Sequence, residues 1–343
     1  YLVGYSSYPL VWEPGANPAH ALGLYLLDRW GNRELLYRDP QIGSTNPCPL
    51  RPRPVPPVLP NTVADDGAAC GEMVVADVYE GLGDVPRGQI KELRIVQIFP
   101  KTTNIANQPP IGIAAEENGR AVLGTVPVEE DGSARFLVPA GKPFLFQALD
   151  QDGCAYQTMR SLTYVQPGEK VACVGCHEHK MTAPVSPPAN LAALRRPASK
   201  IEPGPWDGRP FSYVEVVQPV LDQHCVRCHG GEKTEHEVDL TAAPHNGFTK
   251  SYWALCVNDN KDPQVALPPL VPRFEQRNQI QMTPPGGQYG ALGSRLMKLL
   301  RDGHEDVKLS DADLRRLAAW IDCNAIFHGS YDPAEQAKQL AGE

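Results

Sequence analysis

Apolar and polar positions divide the chain into an extended first half and a helical last third. Short apolar runs bounded by turn residues open it: Tyr1 to Tyr5, then Gly23 to Asp28, a turn at Gly31-Asn32, and a return over Glu34 to Tyr37. This pattern predicts a tight β-hairpin. Two or three strands do not make a stable domain alone, so the segment is expected to be the end of a larger sheet or propeller blade. Alternation resumes near 71, with strands predicted over 74–79, 89–99, 122–128, 134–138, 144–149 and 155–164. Turn residues at Glu130-Asp131-Gly132, Ala140 to Pro143 and Asp150 to Gly153 separate them. A β-sandwich is the economical way to bury one face of each strand.

Past 211 the period changes from two to that of a helix. Val216, Val217, Val220 and Leu221 fall on one helical face, and Pro219 among them predicts a kink or a two-part helix. Leu292, Leu296, Leu299 and Leu300 form a stripe that stops at Gly303. Ser310, with Asp313 three residues on, opens a final helix whose Leu314, Leu317, Ala318 and Ile321 face inward. Two proline-rich stretches punctuate the chain: 47–60 holds 7 Pro in 14 residues and predicts an extended surface strap, and 182–210 holds 7 in 29. The fold class expected is therefore α+β and multidomain. Its parts are a hairpin or propeller end with the strap (1–60), a β-sandwich-like domain (61–181), a proline-rich linker (182–210) and a mostly helical domain (211–343).

Two five-residue segments change this picture. Cys173-Val174-Gly175-Cys176-His177 closes the predicted sandwich, and Cys225-Val226-Arg227-Cys228-His229 follows the first predicted helix. In each, two thiols can add across the vinyl groups of a porphyrin while the adjoining His meets the iron, which is the spacing of c-type haem attachment. Two covalently bound haems c are expected, held by Cys173, Cys176, His177 and by Cys225, Cys228, His229. The helix, motif, long loop and closing helices of the last third then have the layout of a cytochrome c-like domain. The competing reading is a zinc site made from both pairs. It fits poorly, because zinc ribbons space their pairs by about 15–20 residues, whereas 48 residues lie between Cys176 and Cys225.

The second axial ligand of each iron is open to more than one residue. For the second haem the chain offers His304, held between a helix stop and a capped helix, and Met282 in Gln281-Met282-Thr283-Pro284-Pro285; His304 is favoured. For the first haem the nearest groups are His179 and Met181. Either would make it a relay for electrons, whereas an open iron face would make it the site of chemistry. His20 and the acidic run Glu129-Glu130-Asp131 are weaker ligands, read first as a solvated loop histidine and a solvated turn.

Composition narrows the class of partner. A net charge of −8 without a Lys/Arg-rich run excludes a nucleic-acid surface. No apolar run approaches the roughly 18 residues of a membrane helix. A redox partner protein is expected, possibly as other subunits of a multihaem complex. Cytochrome c maturation and persistent disulfides both belong outside the cytoplasm, so a periplasmic or extracellular location is expected. The chain opens at Tyr1 with neither Met nor signal peptide and reads as processed or partial. Five cysteines remain outside the haem motifs, and Cys256 with Cys323, and less strongly Cys48 with Cys70, are expected disulfides.

Several runs resemble one family. They are Val128-Glu129-Glu130-Asp131-Gly132-Ser133, Phe146 to Asp150, Thr158-Met159-Arg160-Ser161, Gln166 to Glu169 and Cys173 to Glu178, with Leu24 to Asp39, Pro205 to Gly230, and Gly303-His304 on to Tyr331. Together they resemble the hydrazine synthase alpha subunit family. The resemblance implies the C-terminal portion of such a subunit: a propeller end, a β-domain with one haem and a helical cytochrome domain with another. It also implies a tyrosine ligand four residues after the first motif His, where this chain has Met181. Electron transfer is the function expected; the alternative is a redox enzyme binding a small nitrogen compound or peroxide at the first haem.

Overall fold

The computed structural model describes residues 1–11, 17–59, 68–103, 108–114, 117–159, 161–176, 190–206, 208–231, 238–257, 269–274 and 289–342. His177, His179, Met181 and Met282 lie outside the described residues. The chain forms two compact units, Tyr1–Pro60 and Asn61–Glu343.

In the first unit, β1 (Leu2–Ser6), β2 (Leu22–Leu27) and β3 (Arg33–Tyr37) make an antiparallel sheet in that order. The β2–β3 turn is closed by Asp28, whose carboxylate accepts from the Trp30 and Asn32 amides at 2.8 and 3.0 Å; the Asn32 side chain holds its pKa below the ordinary range. Every residue of β3 is exposed. So are Leu50, Val55 and Val58 of the proline strap.

The second unit is built on two sheets. One is ordered β10 (Lys170–Cys173), β4 (Cys70–Val75), β7 (Ala134–Pro139); the other β6 (Arg120–Pro127), β5 (Glu92–Ile98), β8 (Phe144–Leu149), β9 (Ala155–Thr158). Met73, Val75, Phe136 and Val138 from the first sheet share a core with Leu93, Ile95, Phe144, Phe146 and Ala148 from the second. Alternation explains which face is used: β4 and β7 bury every second residue. β8 buries all six, because Leu145 turns away from this core into another. That other core belongs to the helices.

The helical part begins with α1 (Tyr213–Val216) and α2 (Gln218–His224), the two-part helix expected from Pro219. There follow α3 (Val226–His229), a short hairpin of β11 (Pro244–His245) and β12 (Phe248–Thr249), α4 (Lys250–Cys256), α5 (Gly290–Gly293), α6 (Arg295–Asp302), α7 (Asp311–Asp322) and α8 (Pro333–Ala341). Tyr213 stacks on Phe327 at 5.2 Å and meets Tyr252 and Trp320 edge-on at 5.2 and 5.1 Å. This aromatic cluster and Leu317, Ala318 and Ile321 of α7 fill a core that also takes in Val96, Val122 and Leu145 from the sheet.

Sheet and helices are bolted together by polar groups as well. Arg94 of β5 and Asp322 of α7 form an ion pair at 3.1 Å with both side chains fully buried. Arg94 also donates to Gln147 Oε1 and the Gly153 carbonyl; Asp322 accepts from the Ala155 and Ala291 amides. Paired and hydrogen-bonded on both sides, the charges meet the condition under which burial is tolerated. Burial nonetheless raises the Asp322 carboxyl above its ordinary value. Residues 191–206 run across both sheets, bridging Phe136 to Ser199 and Thr125 to Glu202.

Some expectations are corrected. The strand expected over 74–79 ends at Val75, because the Asp77 carboxylate accepts from the Tyr79 amide at 3.0 Å and turns the chain. The strand expected over 155–164 ends at Thr158. The leucine stripe spans two short helices, since Ser294 caps a new one by accepting from the Met297 amide. No disulfide joins any of the nine cysteines, all of which are among the described residues. Cys323 bonds instead to the Arg120 guanidinium and Cys256 sits near Arg273, so the expected Cys256–Cys323 disulfide is not formed, nor is Cys48–Cys70. Among the described residues no helix is long and apolar enough to cross a membrane.

Candidate functional site

The first motif sits at the rim of the sandwich. Cys173 ends β10, which pairs in parallel with β4 so that Cys173 lies opposite Val75. Sequence reading missed this strand, whose only signal is Val171 between polar and small neighbours. The motif is then laced to the 76–80 turn: Ala76 N–H donates to the Cys173 carbonyl at 2.9 Å, Asp77 N–H to Val174 at 3.0 Å, and Cys176 N–H to Glu80 at 3.2 Å. Gly175 is required for this approach, since a Cβ there would stand 2.4 Å from the Glu80 carbonyl oxygen. Both thiols open on a cleft between the sheets, with Leu93, Phe146 and Ala148 on its apolar side and Gln157 and Met159 at its end. Burial, then the neighbouring Cys173, pushes the Cys176 thiol up to about 12.

The second motif is a single helical turn. Cys228 N–H and His229 N–H both donate to the Cys225 carbonyl, at 3.1 and 2.9 Å. Both thiols and the imidazole therefore leave one short helix, with Arg227 exposed. Burial, then Cys228, raises the Cys225 thiol to about 11. The Nδ1 of His229 is buried without a hydrogen-bond partner.

His304 comes from the turn between α6 and α7, where Gly303 ends one helix at φ 98° and Ser310 caps the next by accepting from Asp313 N–H. Its ring lies 6.0 Å from that of His229, centroid to centroid, with planes 20° apart. The fold brings the two imidazoles, 75 positions apart in the chain, side by side. The chain thus brings together residues 225–229 and His304.

The weaker ligands are otherwise engaged. Glu129 pairs with Arg196, and Asp131 accepts from Ser133 and the Ala192 amide. His20 meets Tyr8 edge-on at 6.0 Å. Among the described residues no group of three or more His, Cys, Asp or Glu side chains is arranged to hold a metal ion. The four motif cysteines, all described, are therefore not gathered into one cluster.

Residues 88–178, from the approach to β5 through the first motif, match the family model of the hydrazine synthase alpha subunit middle domain. The resemblance read from the motifs holds. A solved structure with a similar fold is that of Kuenenia stuttgartiensis hydrazine synthase, at 17% identity and a TM-score of 0.58, covering 90% of this chain and 53% of that one. The chain spans about half the length of the solved chain it matches. No curated protein matches.

Proposed function

We propose that this chain is an exported dihaem c-type cytochrome that transfers electrons, with relatives in the hydrazine synthase alpha family. The observation that carries it is the His229–His304 pair, 6.0 Å apart beside two thiols on one helical turn. A haem bound there supplies one-electron ferric–ferrous chemistry. The chain's own residues would do the rest. Cys225 and Cys228 would hold the porphyrin, His229 and His304 would bind its iron, and the aromatic core behind α1 and α7 would keep water from that side. Cys173, Cys176 and His177 would hold the second group at the sandwich rim. A family named for an alpha subunit supports companion subunits as redox partners, and covalent haem attachment supports a periplasmic or extracellular location.

The test is a haem stain on a denaturing gel with the intact mass, followed by resonance spectra of His304→Ala. Two haems per chain are expected, and His304→Ala should turn one of them high-spin. A colourless zinc protein, or a change produced by Met282→Ala in place of His304→Ala, would reject the reading or its ligand respectively.

A further inference from the structure

The last helix docks by a polar face. Along α8 the buried residues are Gln336 and Gln339, while Ala334, Ala337, Leu340 and Ala341 are exposed. The buried apolar core of the helical part takes in no residue beyond Tyr331. Both glutamines reach backbone groups. Gln336 Nε2 donates to the Pro110 and Ser330 carbonyls at 3.2 and 2.8 Å; Gln339 Nε2 donates to the Pro210 carbonyl at 3.1 Å, and its Oε1 accepts from Gly329 N–H at 3.3 Å. Undocking such a helix exposes little apolar surface and passes its hydrogen bonds to water, so opening costs less than unfolding the core. Once released, a helix of 9 residues does not hold its own turns in water.

Beneath Gln339 lies His328, 5% exposed, with Nδ1 3.4 Å from Gln339 Oε1. Its ring is enclosed by Phe327, by Phe248 of β12, by the Ser212 backbone ahead of α1 and by Gln339 of α8. None of these is charged, and among the described residues no charged or titratable side chain shifts the ring; burial alone takes it from 6.5 down to about 4, with the Gln339 bond opposing. Phe248 and Phe327 belong to the core and α8 does not, so α8 is the wall that can move. We propose that α8 is a clasp released by protonation of His328, opening as a unit in mild acid while the core up to Tyr331 stays folded. With the clasp open the imidazole returns to its ordinary value near 6.5, against about 4 with it closed. The open form therefore binds the extra proton between these values, and opening is favoured as pH falls from 6.5 towards 4.

The experiment is amide hydrogen exchange on the full chain at pH 8 and pH 5, each rate taken relative to that of the unfolded peptide at the same pH. Mass spectrometry follows segment 333–341 of α8 and segment 311–322 of α7. In the parent the opening constant of 333–341 should rise about 30-fold from pH 8 to pH 5, and 311–322 should stay protected at both. His328→Gln keeps a polar side chain that takes up no proton, and should give 333–341 one opening constant at the two pH values. Gln336→Ala combined with Gln339→Ala should open 333–341 at pH 8 already and leave 311–322 protected. Segments that lose protection together, a parent α8 no more open at pH 5 than at pH 8, a pH dependence that survives in His328→Gln, or a double variant as protected as the parent would each overturn the proposal. Should His328→Gln fail to fold, the parent decides: a rise confined to 333–341 is required, and its absence overturns the clasp.

Discussion

At the sandwich rim Cys173 ends a strand and Cys176 hangs from the Glu80 carbonyl, whereas Cys225, Cys228 and His229 share one turn of helix. The same Cys-x-x-Cys spacing is thus presented by two unlike backbones. The first depends on a distant loop: two hydrogen bonds donated by Ala76 and Asp77 and one accepted by Glu80 shape it, and its Gly175 lies against Glu80. The second is shaped by its own i to i+4 bonding and then needs a distant partner, His304, for its far side. Geometry at the first site comes from tertiary contact, and at the second mostly from the helix.

The largest effect that would sharpen this comparison is on haem content. Cys225→Ala with Cys228→Ala should remove one haem and leave the sandwich site loaded, since no described backbone bond joins the two motifs; intact mass reads the loss. Loss of both haems would break the independence of the sites. Next, Asp322→Ala should cost about 3–5 kcal/mol by leaving Arg94 buried without its counter-charge, and urea unfolding should show it. Because this pair ties the sheet that backs the first site to the helix that follows His304, both haem spectra should broaden together.

Acid should separate the two halves. His328, buried against Phe248 and Phe327 in the helical core, has its pKa lowered by burial from 6.5 to about 4. The unfolded chain then binds the extra proton between those values. The stabilisation is complete above pH 6.5 and is lost as pH falls towards 4, by up to about 3 kcal/mol. His328→Gln should flatten that window in a pH series of denaturant midpoints. By contrast Glu72, whose carboxyl is lowered by its bond to Arg135, supports the sandwich down to below its ordinary range. The smallest effect tests the motifs at matched positions: Gly175→Ala should cost about 1–3 kcal/mol by overpacking Glu80. Arg227→Ala, at the same place in the second motif and exposed, should stay within about 0.5 kcal/mol. Equal costs would mean that the two motifs are built alike.

Much of this protein was legible in residue order. The period-two runs located most strands, with 144–149 matching β8 at both ends. Pro219 marked the division between α1 and α2, and Ser310 capped α7. These are features of short range, in which a residue answers to neighbours within about four positions. What could not be read was set by surfaces meeting across long separations. β10 is too short and too plain to announce itself and exists because β4 offers it a parallel edge. Asp77 turns the chain where β-propensity favoured more strand. Cys323 meets Arg120 in place of Cys256. His304 meets His229 only in the folded helical part, 75 positions apart in the chain. No local pattern encodes such contacts, since their free energy is released only when both faces are already formed.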